Sequence, residues 1–134
     1  MSQTPDAPRQ ILLVEDNMLN EMVAVGMLRL LGRTADVALN GAEAVEAMER
    51  HPYAIVLMDV QMPVLDGFEA TRRIRAELPP ERQPYIIALT ANAMAGDEQR
   101  CLDAGMDAYL SKPLSKERLG EALTAADQHV AGAG

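Results

Sequence analysis

The sequence predicts an α/β fold in which a parallel sheet carries helices on both faces. Three observations lead there. Five short apolar runs alternate along the chain with five helical patterns, as repeated strand–helix–strand crossovers require. One run, within "AIVLMDVQMP" (54–63), is apolar without a break until it ends on Asp59, which fits a central strand buried on both faces. The chain has 134 residues, 49% of them hydrophobic, which suits one core of ordinary domain size.

Each element can be justified in order. Residues 1–8 are polar and proline-bearing and are expected to form a disordered tail. "ILLV" (11–14) is the first strand. Asp16 or Asn17 is placed to cap a helix running to about Leu31, with Gly32 where a C-terminal glycine belongs. "ADVAL" (35–39) alternates more and reads as a strand nearer an edge. Asn40 and Gly41 open a second helix, apolar at Ala44, Val45 and Met48, which His51 and Pro52 end. Residues 53–58 are the third strand, and the loop "DVQMPVLDG" follows, its turn shaped by Pro63 and Asp66-Gly67.

A third helix from Phe68 to about Glu77 stops at Pro79-Pro80. "YIIALT" (85–90) is the fourth strand, and a weaker helix over about 93–104 ends at Gly105. "AYL" (108–110) is a short fifth strand. The last helix covers about 115–129, with Ser115 as N-cap and Leu114 and Leu119 as a hydrophobic staple. Residues 130–134 read as a second disordered tail, leaving a domain at 9–129. Right-handed crossovers among five such units give a doubly wound, flavodoxin-like sheet in the order 2-1-3-4-5.

Composition excludes several classes. A net charge of −8 and the lack of a basic stripe argue against a nucleic-acid surface. The single cysteine, Cys101, rules out an internal disulfide framework and suits a reducing cytoplasm. No apolar segment approaches the roughly 20 residues that cross a bilayer, and the first ten residues lack a signal-peptide apolar region. The expectation is an acidic, soluble, cytoplasmic monomer, or a domain cut from something larger.

In a parallel sheet the C-terminal strand ends share one edge, and ligands bind there at the topological switch point. In the order 2-1-3-4-5, strands one and three flank that point. Glu15 and Asp16 should therefore converge with Asp59, and Thr90 and Lys112 should stand to one side. Three carboxylates at short range repel one another, and a hard divalent cation such as Mg²⁺ resolves the conflict. Asp59 could then act as a nucleophile toward phosphorus, with the Lys112 ammonium and the Thr90 hydroxyl on phosphoryl oxygens. Each residue alone has a bland reading: Asp16 as a helix cap, Thr90 as a turn residue, Lys112 as a solvated charge. Asp59 is harder to dismiss, since a carboxylate ending a doubly buried strand is costly unless paired.

Other classes fit less well. A phosphatase or mutase with an aspartate nucleophile resembles a D-x-D pattern, but Gln61 stands two residues past Asp59 and is a poor proton donor. A nucleotide-binding module of this fold would want a glycine-rich loop after the first strand, and "VEDNMLN" has none. A DNA-binding regulator would need an output domain. His51 and His129 read as surface residues.

"ILLVEDN" (11–17), "LMDVQMPVLDGFEATRRIR" (57–75), "IIALTANAM" (86–94) and "AGMDAYLSKP" (104–113) resemble the receiver domain of two-component response regulators. The wording of "LTANAM" and "AGMDAYLSKP" is nearest to receivers of hybrid sensor histidine kinases. The resemblance implies that Asp59 is the phosphoacceptor, that Asp16 and Asp59 bind Mg²⁺, and that the Gln61 backbone carbonyl is a further ligand. Glu15, where the family commonly has aspartate, would act through a metal-bound water. Lys112 and Thr90 would be the phosphoryl-binding pair, and Tyr109 the switch aromatic that enters space vacated by Thr90. The implied partner is the dimerisation bundle of a histidine kinase or a histidine phosphotransfer protein. Such a domain catalyses only its own Mg²⁺-dependent phosphorylation and dephosphorylation. It is not otherwise expected to be an enzyme, although a hybrid parent would be a histidine kinase.

The first helix carries more apolar residues than one stripe needs: its only charged or amide side chains are Asn20, Glu21 and Arg29. Either the helix is deeply packed, or part of it, around Met18 and Met22, is an exposed docking patch for the partner.

Overall fold

The computed structural model describes residues 11–51, 53–60, 66–91 and 97–133. Its strands are β1 (Ile11–Val14), β2 (Ala35–Ala38), β3 (Ile55–Asp59), β4 (Tyr85–Thr90) and β5 (Ala108–Ser111). Its helices are α1 (Met18–Leu30), α2 (Gly41–Arg50), α3 (Gly67–Glu77), α4 (Asp97–Ala104) and α5 (Lys116–Ala133). The strands form one sheet in the order β2-β1-β3-β4-β5, and every pairing is parallel. The fold is therefore the doubly wound, flavodoxin-like arrangement the sequence predicts.

Alternation along the strands divides the core. Leu12, Val14, Val56, Met58, Ile86 and Ala88 pack on one side with apolar residues of α2, α3 and α4. Ile11, Leu13, Ile55, Leu57, Ile87 and Leu89 pack on the other with Ala24 and Leu28 of α1 and Leu119, Leu123 and Ala126 of α5. Successive side chains of a strand point to opposite faces, so an unbroken apolar run serves both cores.

Local signals start the helices. Asn17 Oδ1 accepts Asn20 N, Asn40 Oδ1 accepts Glu43 N, and Asp66 Oδ1 accepts Glu69 N, each at 2.9 Å. Ser115 Oγ accepts Arg118 N at 3.1 Å, and Leu114 and Leu119 join the same core. All four caps satisfy an amide three residues on, a group the helix itself leaves without a partner.

Boundaries differ in informative places. β3 starts at Ile55 rather than at 53, because Tyr53 is in a turn with its N–H on His51 O. The strand also reaches one residue further, so Asp59 lies within the ladder opposite Leu89. α5 runs to Ala133, past His129, so residues 131–133 continue a helix that the sequence reading ended in a tail. That stretch is mostly alanine and lacks a proline to stop it. Residues 93–96, expected to begin α4, and the tail at 1–8 lie outside the described residues. His51 is not a simple surface residue: its ring packs on Tyr53 at 4.6 Å between centroids, and its Nε2 is buried.

At the edge of the sheet opposite Asp59, Arg75 Nε donates to Gly105 O at 2.8 Å, and its guanidinium also reaches Gln83, Pro84 O and Asp107. Asp107 Oδ2 in turn accepts Ile86 N at 2.8 Å. One side chain thus ties the end of α3 to the turn before β5 and the start of β4.

The buried Tyr53 hydroxyl donates to Asp36 Oδ2 at 2.5 Å and pins the start of β3 to the edge strand. Burial first, then this bond and the Asp36 charge, push the phenol up from its ordinary 10 to about 12. A raised pKa means the contribution is whole below pH 10 and fades as pH climbs through about 12. Tyr53→Phe should lower unfolding stability at neutral pH by about 1.5–3 kcal/mol, as for other bonds to charged groups. In urea unfolding, the gap between wild type and variant should shrink as pH approaches 12.

Candidate functional site

The ladder carries the polar residues to one edge. Glu15 N donates to Ala38 O at 3.0 Å, Val60 N to Leu89 O at 3.2 Å and Lys112 N to Thr90 O at 2.8 Å, so the residues just past the strands continue the sheet. Glu15, Asp16 and Asp59 converge, with one oxygen from each carboxylate within 4.8 Å of the others. Glu15 and Asp59 are only 2% and 3% exposed, while Asp16 is open to solvent. A cleft of about 270 Å³ over them is lined by Glu15, Asp16, Asn17, Asn20, Asp59 and Lys112.

Lys112 supplies the near positive charge. Its Nζ stands 3.3 Å from Asp59 Oδ2 and 3.4 Å from Glu15 Oε1, and Glu15 Oε2 also accepts Asn17 N at 3.3 Å. Burial, and then the Asp59 charge, hold the Glu15 carboxyl above the ordinary carboxylate range despite the opposing pull of Lys112. An all-carboxylate, hard-oxygen donor set facing solvent on one side suits a divalent cation that keeps several waters. The residues present fit Mg²⁺.

Of the positions named from sequence, Glu15, Asp16, Asp59 and Lys112 meet in this cleft. Thr90 is fully buried at the end of β4 beside it, opposite Ser111 in the ladder. Tyr109 is half-buried on the α4 side of the sheet, where a hydrogen bond to Glu98 leads the effects that raise its phenol pKa. Gln61 lies outside the described residues. The apolar excess of α1 is exposed: Met18 is 75% and Met22 63% accessible, with Leu19 and Val23 beside them, so deep packing does not explain it.

Two features escaped the sequence reading. One is the ion pair between Glu15 and Lys112, residues 97 apart in the chain. The other is Gly67, read only as a turn residue, which lies against the Asp59 backbone.

Residues 11–124 match the response regulator receiver domain family. This chain is a receiver domain. It is 42% identical over 139 residues to Histidine kinase 5 of Arabidopsis thaliana, an alignment covering 85% of this chain and 15% of that protein. It is therefore similar to a small part of that relative's length. Among solved structures, it resembles the receiver domain of the sensor histidine kinase PA1611 from Pseudomonas aeruginosa, which has magnesium coordinated in its active-site cleft. The identity is 48%, the TM-score 0.80, and 87% of this chain and 95% of that one are covered. It also resembles the receiver domain of Ssk1, solved with the histidine phosphotransfer protein Ypd1 of Saccharomyces cerevisiae. There the identity is 31%, the TM-score 0.78, and 87% of this chain and 86% of that one are covered.

The buried Glu15 carboxyl makes the receiver's stability depend on pH in a defined direction. A raised Glu15 pKa means the folded chain holds that proton more tightly than the unfolded chain. Its contribution is present below the ordinary value of 4.5 and is lost as pH rises through the raised one. Glu15→Gln removes this loss. In metal-free urea unfolding, the variant should gain on wild type as pH rises from 4.5 toward neutrality. A constant difference across that range would contradict the electrostatic account of the site.

Proposed function

We propose that this receiver accepts a phosphoryl group from a phosphohistidine onto Asp59. The observation that carries the reading is the Asp59 carboxylate, held at the end of the central strand with the Lys112 ammonium 3.3 Å away and two further acids beside it. An Asp59 oxygen forms the new bond to phosphorus as the bond from phosphorus to the donor nitrogen breaks. Lys112 lies close enough to hold one phosphoryl oxygen, and the Thr90 hydroxyl another. Asp16, Asp59 and the Gln61 carbonyl would hold Mg²⁺, with Glu15 acting through a water. The ion supplies neutralisation of charge on the transferring group. The domain then catalyses only its own phosphorylation and hydrolysis.

The signal would pass from Thr90, at the end of β4, to Tyr109 on the adjacent strand β5 opposite Ala88, with the Tyr109 ring leaving its Glu98 contact as Thr90 turns toward the phosphoryl group. The partner is a histidine kinase bundle or a histidine phosphotransfer protein, met in the cytoplasm by a monomeric receiver. Support for the docking face comes from Met18 and Met22, exposed on α1 beside the cleft. Adaptable methionines suit packing against a helical partner. Next to them, Val23, Ala24, Leu89, Pro113 and Leu114 line an apolar recess of about 180 Å³ that shares Glu15, Asn20 and Lys112 with the site.

Intact mass after incubation with acetyl phosphate tests the chemistry. One added phosphoryl group is expected, dependent on Mg²⁺ and absent in Asp59→Asn; labelling of that variant at the wild-type rate would remove Asp59 from the role. Met18→Lys should leave acetyl phosphate labelling intact and slow transfer from a phosphorylated histidine domain by about tenfold or more, the cost of about 1.4 kcal/mol at a docking contact. An equal effect on both donors, or none on either, would make the patch structural.

A further inference from the structure

We propose that Gly67 is a positioning residue for Asp59: its missing side chain lets the first turn of α3 seat directly on the peptide that carries the phosphoacceptor. The inference rests on the reading of Asp59 as the reacting acid. A β-carbon built on Gly67 would lie 2.4 Å from Asp59 O, 2.8 Å from Val60 Cα and 2.9 Å from Met58 Cγ. Two of those three atoms are backbone and cannot rotate aside. Gly67 is also not among the glycines with positive φ, which are Gly32 and Gly105. The position thus uses glycine for its absent volume and not for its backbone freedom.

The joint is closed from both sides. Gly67 N donates to Val60 O at 3.3 Å, and the buried Thr71 hydroxyl donates to Gly67 O at 2.8 Å. Asp66 caps the same turn, and Phe68, Ala70 and Ile74 fix the helix in the core. On the strand side, Asp59 and Val60 are held by β4 through Leu89. Neither body is free to yield alone, so a methyl group here displaces the end of β3 relative to Glu15, Asp16 and Lys112. That displacement moves the reacting carboxylate itself.

The test compares wild type, Gly67→Ala and Gly26→Ala. Gly26 is the control because a β-carbon there meets nothing within 4 Å. Circular dichroism and thermal melting report the fold, calorimetric titration with Mg²⁺ the site, and acetyl phosphate labelling the chemistry. Gly67→Ala is expected to melt cooperatively yet bind Mg²⁺ about 10-fold more weakly, as when a group supporting a ligand is disturbed. Its labelling should slow on the order of 100-fold, the cost of misplacing a reacting atom by about 1 Å. Gly26→Ala should match wild type in both. A Gly67→Ala protein with wild-type Mg²⁺ affinity and labelling, whatever its melting temperature, overturns the proposal. So does a variant that cannot fold, because the contact would then hold the domain together and not place the acid. Failure of wild type itself to bind Mg²⁺ or take up phosphoryl would instead overturn the reading of the site.

Discussion

Two carboxylates almost out of water, with one ammonium between them, are the constraint around which this receiver is arranged. Glu15 and Asp59 sit at the ends of the two central strands and share Lys112 as their near counter-charge. Such a group of charges is unfavourable unless each member is fixed and paired. The sheet does the fixing: backbone bonds to Ala38, Leu89 and Thr90 continue the ladder through the residues that bear or adjoin these charges. The acids are thereby held in place and do not relax away from one another.

The remaining packing follows from that edge. The sheet presents both faces to helices, and α1 and α5 divide one face between them. Because α5 shares the burden, only Ala24 and Leu28 of α1 are fully buried, Val25 and Met27 pack partly against the same core, and Met18, Leu19, Met22 and Val23 in its first half stay in solvent. At the opposite edge, Arg75 joins α3, the turn before β5 and the start of β4. The reactive edge and its surroundings are therefore carried by elements anchored far from the chemistry, which is how a rigid scaffold positions a site.

Much of this was legible in the sequence, and the exceptions have physical reasons. Unbroken apolar runs marked the buried strands, and Asn17, Asn40 and Ser115 marked helix starts, because burial and capping are local requirements. The convergence of Glu15, Asp16 and Asp59, with Thr90 and Lys112 to one side, followed from strand order alone, since a parallel sheet must gather its C-terminal ends. The pairing of Glu15 with Lys112 could not be read, because it depends on side-chain reach across 97 residues. Gly67 was hidden for a different reason: a glycine after aspartate signals a turn, and only coordinates reveal that its missing volume is occupied by the Asp59 carbonyl. The excess apolar surface of α1 was visible, but choosing between burial and exposure required knowing that α5 packs on the same face. The end of α5 was missed because the glycines of residues 131–134 read as a tail, yet the helix runs through Gly132 to Ala133.

The central claim is that the buried acids are held in an arrangement that a divalent cation completes. It is tested most directly by thermal unfolding across a Mg²⁺ series, in wild type and in Asp16→Ala. A ligand bound only by the folded state stabilises it in proportion to the logarithm of its concentration, by about 2.7 kcal/mol at 100 times the dissociation constant. The account predicts a melting temperature that climbs steadily with Mg²⁺ in wild type and hardly moves in Asp16→Ala. A wild-type melting temperature indifferent to Mg²⁺, or a climb of equal size in both proteins, would contradict it.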